Sequence, residues 1–101
     1  MAIVAIREYE HIAAGPNGIA PMGQEPALAS QSVTIGGGSV QSATLHPRTR
    51  FVRLQAGANA SMEFGTNPTA TPSTLPMVAG SSEYFGVPQD LNYKVAVIST
   101  P

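Results

Sequence analysis

Few residues in this chain have side chains that could bind a metal ion. His11 and His46 are the only histidines, and the chain has no cysteine. Neither histidine has a second ligand at the spacing of an H-x₃-H or H-E-x-x-H motif. His46 precedes Pro47 at the end of a predicted strand, where a surface turn is the ordinary interpretation. The sequence therefore predicts no metal and no cofactor.

Hydroxyl and carboxylate groups offer two further catalytic combinations. Ser42, His46 and Asp90 could be grouped as a triad, but a triad is recognised by geometry, and no G-x-S-x-G motif is present. Glu63 and Glu83 lie on neighbouring predicted strands and could form a glycosidase pair. Outward-pointing carboxylates on a solvated sheet face are the commoner explanation for such residues. We therefore expect that the chain is not an enzyme.

The charge content restricts the class of partner. Charged residues make up 11% of the 101 residues, and the net charge is −1, whereas charged residues form about 25% of an average domain. Arg48, Arg50 and Arg53 are the only basic cluster, which is too small for a phosphate-binding surface. We expect no nucleic acid partner. So few charges suit a protein whose surface is partly covered in an assembly.

The first residues, MAIVAI, bear on localisation. This apolar run is too short for the core of a signal peptide, has no basic region before it, and is far too short to span a bilayer. We expect no membrane association. We also expect that the protein is made in a cytoplasm.

Apolar residues alternate with a period of two along most of the chain, which indicates β-strands. Residues 50–65 contain two such runs joined by a short turn-like link, so they are predicted to form a β-hairpin. Residues 65–76, rich in Thr and Pro, are predicted to be an extended loop joining two sheets. Further strands are predicted at 2–9, 32–35, 39–45, 82–87 and 93–99, with a weaker edge strand at 75–78.

No run of residues has the spacing of an amphipathic helix over three turns, so the fold class is predicted to be all-β. Six to eight short strands favour one antiparallel β-sandwich or a small jelly roll spanning residues 1–101. The strongly apolar first and last strands are expected to lie inside the sheets.

Four short sequences in this frame resemble small β-rich virion accessory proteins of tailed bacteriophages. They are RFVRL at 50–54, FGTNPTAT at 64–71, EYFGV at 83–87 and KVAVI at 94–98. The resemblance covers residues 48–99 well and the front half, including Gln24-Glu25-Pro26, more loosely. It contains no catalytic residues.

The resemblance implies a virion structural protein made in the host cytoplasm and located on the capsid surface. Capsid decoration, or cementing, is the first expectation, with the major capsid protein and copies of the chain itself, as dimer or trimer, as partners. A tail or neck component, including a glycan- or receptor-binding sandwich, is the alternative.

Residues 11–30, HIAAGPNGIAPMGQEPALAS, are too interrupted for a helix and too apolar for a solvated linker. Prolines lower the entropy that an extended chain loses on being ordered. We expect an irregular, proline-punctuated arm or loop at about 10–30 that contacts a neighbouring subunit or the shell. The candidate contact residues are Ile12, Pro16, Ile19, Pro21, Met22, Pro26 and Leu28.

Overall fold

The computed structural model of the chain describes residues 2–15, 18–23 and 25–100, and the side chains of 13–15 and 18–22 lie outside that description. The described residues form ten β-strands. They are β1 (Ile3–Tyr9), β2 (Ile12–Gly15), β3 (Gly18–Gly23), β4 (Ala29–Thr34), β5 (Val40–Gln41), β6 (Phe51–Ala56), β7 (Ala60–Gly65), β8 (Leu75–Met77), β9 (Ser82–Gly86) and β10 (Lys94–Ser99).

Eight of these strands form two four-stranded antiparallel sheets. Sheet 1 has the order β4-β1-β6-β9, and sheet 2 has the order β5-β10-β7-β8. The first and last strands of the sandwich, β1 and β10, are both central in their sheets, as predicted. β8 contains Pro76 and lies at the edge of sheet 2, where a proline removes no ladder hydrogen bond.

The core lies between the two sheets. Sheet 1 contributes Val4, Ile6, Val52 and Leu54, and sheet 2 contributes Met62, Val95 and Val97, all with no solvent exposure. Complete burial of one such side chain stabilises the fold by about 1.5–3 kcal/mol. The prediction of an all-β antiparallel sandwich is confirmed.

The predicted hairpin at 50–65 is wrong. β6 pairs with β1 and β9 in sheet 1, whereas β7 pairs with β10 and β8 in sheet 2. The link at 57–59 therefore crosses between sheets. Alternation places Val52 and Leu54 on one face of β6 and Met62 on one face of β7. The same alternation is expected whether two strands face each other across a core or lie side by side in one sheet, so it does not distinguish the two arrangements.

Residues 66–74, which we call the cover segment, do not join the two sheets either. They connect β7 to β8 within sheet 2, and they lie over the outer face of that sheet. Gln41 Nε2 donates to Asn67 Oδ1 (2.8 Å) and to the Pro68 carbonyl (2.9 Å). At the other end of the segment, the hydroxyls of Ser61 and Thr74 lie 3.1 Å apart. Ser61 is fully buried although it faces outward.

The arm or loop predicted at about 10–30 contains two described strands, β2 and β3. β2 and β3 pair as an antiparallel ribbon, with Ile12 opposite Gly23 and Gly15 opposite Gly18. We call this ribbon the arm hairpin. Both strands of a two-stranded ribbon are edge strands, so Pro21 is compatible with β3. The predicted contact residue Pro16 lies outside the described residues.

Candidate functional site

Three aromatic rings lie together on the outer face of sheet 1. Tyr9 of β1 is directly opposite Phe51 of β6, and their rings stack with centroids 5.4 Å apart and planes 17° from parallel. Tyr84 of β9 packs against both, at 6.2 Å from Tyr9 and 5.8 Å from Phe51. Tyr9 is almost fully buried, whereas Tyr84 is 40% exposed. Something other than the core therefore covers Tyr9.

The chain that returns from the arm hairpin provides this cover. The Gly23 amide donates to the Tyr84 hydroxyl (3.1 Å), and the Tyr9 hydroxyl donates to Glu25 Oε2 (2.7 Å). Arg7 pairs with Glu25 Oε1 at 2.5 Å and also donates to the Tyr9 hydroxyl (3.2 Å). We call this group the clasp: Arg7, Tyr9, Gly23, Glu25, Phe51 and Tyr84. It fixes the base of the arm hairpin to sheet 1.

Gly23 is required for this contact for steric reasons. A Cβ atom at position 23 would overlap the ring of Tyr9. Only glycine, which has no side chain, lets the backbone approach the aromatic face this closely. The clasp therefore depends on one glycine and one tyrosine.

The charges of the clasp support one another. Hydrogen bonds from Tyr9 and Arg7 lower the pKa of the Glu25 carboxyl below its ordinary value. Burial raises the pKa of the Tyr9 phenol, and the hydrogen bond to Glu25 raises it further. Both pKa shifts therefore favour the ionised form of Glu25 and the neutral form of Tyr9.

The described contact candidates lie at the arm and its base. Ile12 is 48% exposed, Pro26 is exposed and Leu28 is half-buried. Pro26 and Leu28 line a depression of about 140 Å³ together with Glu10, His11 and Glu25. The side chains of Ile19, Pro21 and Met22 lie outside the described residues, as does Pro16. Of the contact candidates, Pro26 and Leu28 thus line the same depression.

A second polar centre lies inside the sandwich at Glu8, which is 2% exposed. Its Oε1 accepts from the His46 amide (2.6 Å) and the Thr49 hydroxyl (3.0 Å), and its Oε2 accepts from Gln31 Nε2 (3.3 Å). These neutral donors satisfy the buried carboxylate. The bonds from His46 and Thr49 also tie the connection between β5 and β6 to sheet 1, which favours a structural role for Glu8.

No hydrogen bond joins the side chains of either catalytic combination considered from the sequence. Glu63 lies on β7 of sheet 2 and Glu83 on β9 of sheet 1, so they are not on neighbouring strands. The Ser42 hydroxyl donates to the Ala43 carbonyl and accepts from the Val95 amide. His46 Nδ1 accepts from the Arg48 amide.

Within the described ranges, no group of three or more acidic or histidine side chains is placed to hold a metal ion. In the same ranges no helix is long and apolar enough to cross a membrane.

No family model, curated protein or solved structure matches this chain. The clasp, the arm hairpin and the surfaces of the sandwich are the features that bear on function.

Sequence reasoning missed most of the clasp because it assigned most aromatic residues to the core. One signal was available. If Val52 and Leu54 face the core, Phe51 must face outward on the same strand, because successive side chains alternate. An outward phenylalanine on a central strand indicates that another segment covers that face.

Proposed function

We propose that this chain is a non-enzymatic virion structural protein of a tailed bacteriophage that decorates the capsid by binding the major capsid protein. The observation that carries the proposal is the arm hairpin. It is anchored at its base by the clasp, but β2 and β3 pair with each other and belong to neither of the two four-stranded sheets. An anchored hairpin that is part of neither sheet suits a protein that completes its contacts in an assembly.

The chemistry of the surface supports the same proposal. Residues 12–23, IAAGPNGIAPMG, contain no charged residue. A decoration protein binds many identical sites through shape and backbone contacts, and the core of such an interface is depleted in charge. The sequence resemblance to virion accessory proteins agrees with this role, and repeated shell sites favour a dimer or trimer.

A tail or neck component that binds glycans is the competing proposal. Sugar binding uses an open aromatic face, as offered by a free Tyr or Trp ring. Tyr84 is the aromatic side chain with the largest exposure among the described residues, at 40%. Its hydroxyl is occupied by the Gly23 amide and its ring packs on Tyr9 and Phe51. These contacts favour a structural role for Tyr84.

Co-sedimentation with expanded empty capsids tests the proposal. The purified chain should pellet with capsids of its own phage and saturate at a fixed ratio to the major capsid protein. Capsids of an unrelated phage are the control and should leave the chain in the supernatant. If the chain stays in the supernatant with its own expanded capsids, the proposed decoration role is wrong.

A further inference from the structure

Two arginines lie side by side on the outer face of sheet 1. Arg7 of β1 is directly opposite Arg53 of β6, and like charges in such positions repel each other. The Glu25 carboxylate forms an ion pair with Arg7. Among the described residues, Arg53 has no carboxylate partner. One of the two positive charges is therefore left uncompensated.

The strands of sheet 1, all of which the structure describes, supply no carboxylate to this face. Their acidic residues are Glu8 and Glu83. The first is aligned with Val52 and the second with Leu54, and both of these β6 side chains are fully buried in the core. Because aligned residues of neighbouring strands share a face, Glu8 and Glu83 point away from Arg53.

The two guanidinium groups differ in how far their hydrogen-bond donors are used. Arg7 donates to the Tyr9 hydroxyl (3.2 Å), the Ser30 hydroxyl (3.2 Å) and Glu25 Oε1 (2.5 Å). Arg53 is half-buried, yet no described residue accepts a hydrogen bond from its guanidinium. Its N–H donors, which are arranged to bind a carboxylate in a bidentate manner, therefore remain available.

Tyr84 supplies a second unused donor beside Arg53. The two residues are directly opposite each other on β9 and β6, so their side chains share the outer face. The Gly23 amide donates to the Tyr84 hydroxyl (3.1 Å), which makes the hydroxyl an acceptor there. Its own proton is accepted by no residue that the structure describes. Arg53 and Tyr84 thus offer a cation and a hydroxyl donor at one place on the sheet.

The clasp shows which ligand this combination of side chains binds. Glu25 pairs through Oε1 with Arg7 and accepts from the Tyr9 hydroxyl through Oε2 (2.7 Å). One guanidinium and one phenol therefore hold one carboxylate. The same two groups are repeated, without a carboxylate, on the neighbouring strands β6 and β9.

We propose that Arg53 and Tyr84 bind a second carboxylate, that of a glutamate or aspartate side chain on a partner protein. Its charge offsets the repulsion between the two arginines, and its two oxygens accept from the guanidinium and the hydroxyl. Such charge-assisted hydrogen bonds are stronger than those between neutral groups. This deepens the proposed function and rests on it for the identity of the partner, which is then the major capsid protein.

The first experiment is done without capsids. Sodium propionate, which resembles the glutamate side chain, is added while the ring resonances of Tyr84 are followed by NMR. The shift should saturate and should exceed that in sodium chloride of equal ionic strength. Sodium dihydrogen phosphate in a mildly acidic buffer, which carries the same single charge, should cause a smaller shift than propionate.

The matched variants are Arg53→Gln and Arg50→Gln, which remove the same charge. Arg50 is exposed and adjacent to Phe51, so alternation directs its side chain away from the face that carries Arg53. The propionate-induced shift of Tyr84 should be lost in Arg53→Gln and retained in Arg50→Gln. Thermal unfolding of both variants verifies that they fold.

The second experiment measures co-sedimentation with expanded capsids of the chain's own phage. Arg53→Gln should raise the dissociation constant at least about tenfold, because the partner's carboxylate is then left unpaired in the interface. Arg53→Lys should give an intermediate loss, since lysine keeps the charge but not the bidentate geometry. Arg50→Gln should bind like wild type.

A Tyr84 shift that is equal in chloride and propionate, that is larger with phosphate, or that persists in Arg53→Gln overturns the inference. So does equal binding of Arg53→Gln and Arg50→Gln to capsids. A chain that binds propionate through Arg53 but does not pellet with capsids would support the carboxylate site and contradict the decoration role. A chain that pellets with capsids but fails the propionate test would contradict the site alone.

Discussion

The Tyr9 ring occupies the space that a side chain at residue 23 would need, so Gly23 rests directly on the aromatic face. This contact joins a central strand of sheet 1 to the end of the arm hairpin. The neighbouring bond from the Gly23 amide to the Tyr84 hydroxyl (3.1 Å) fixes the same backbone from a second strand. The position of the arm is therefore encoded in the outer face of the sandwich.

Gly23→Ala should displace the arm base. The added methyl group overlaps Tyr9, so either the ring or the backbone must move, at a cost of about 1–3 kcal/mol in the free energy of unfolding. Nuclear Overhauser contacts between the Tyr84 ring and residue 23 should be lost. Gly37→Ala is the control, since a Cβ there has no atom within 4 Å. Equal stability and unchanged contacts in both variants would refute the steric role of Gly23.

The clasp should be stable only within a window of pH. Glu25 has a lowered pKa in the folded chain, so its contribution is present above the carboxyl's unfolded pKa and is lost as the pH falls through the folded value. Tyr9 has a raised pKa, so its contribution is present below the phenol's unfolded pKa and is lost as the pH rises through the folded value. The Gly23 amide resonance, followed by NMR, should move at both limits.

Glu25→Gln is the control for the acid limit of this window. The glutamine side chain does not titrate, so the acid-induced shift of the Gly23 amide should disappear while the alkaline shift due to Tyr9 persists. An acid shift that survives in this variant would mean that another group controls the arm base.

Glu8→Gln should destabilise the sandwich by about 1–3 kcal/mol, because an amide donor would face groups that already donate to the carboxylate. The affected donors are the His46 amide, the Thr49 hydroxyl and Gln31. Chemical denaturation measures the loss. Glu10→Gln is the control: Glu10 pairs with Arg48 at 3.4 Å on the surface, and such pairs contribute about 0–1 kcal/mol. The structural role of Glu8 is contradicted if the two variants are equally stable.

Ser61→Ala should loosen the cover segment. The Ser61 hydroxyl accepts from the Leu75 amide (3.1 Å) and lies 3.1 Å from the Thr74 hydroxyl. Removing it leaves these groups without that partner, at a cost of about 1–3 kcal/mol, and should speed amide hydrogen exchange at residues 74–75. Ser82→Ala on the exposed surface of β9 is the control. Unchanged exchange at 74–75 would show that Ser61 does not hold the segment.

Alternation of apolar residues was sufficient to predict the fold class and most strands. Alternation places Val52 and Leu54 on one face of their strand, which is the face that packs in the core, and the apolar first and last strands lie inside the sheets as expected. It could not assign strands to sheets, because a strand that faces β6 across the core and a strand beside it have the same pattern. The predicted hairpin at 50–65 failed for this reason.

The candidate site was only partly predictable. The apolar, uncharged character of residues 12–23 marked the arm as unusual. Its pairing as β2 and β3 depends on backbone hydrogen bonds, and a segment of small residues lacks the apolar–polar alternation that would have predicted strands there. The clasp joins Arg7, Tyr9, Glu25 and Tyr84 across as many as 77 residues of sequence. No local pattern records such a contact.

The number of copies of this chain per virion, measured by quantitative mass spectrometry against the major capsid protein, tests the decoration role most directly. The account predicts many copies, in a fixed proportion to the capsid subunits and removed together with the shell. A few copies that purify with the neck or tail, or complete absence from the virion, would contradict it.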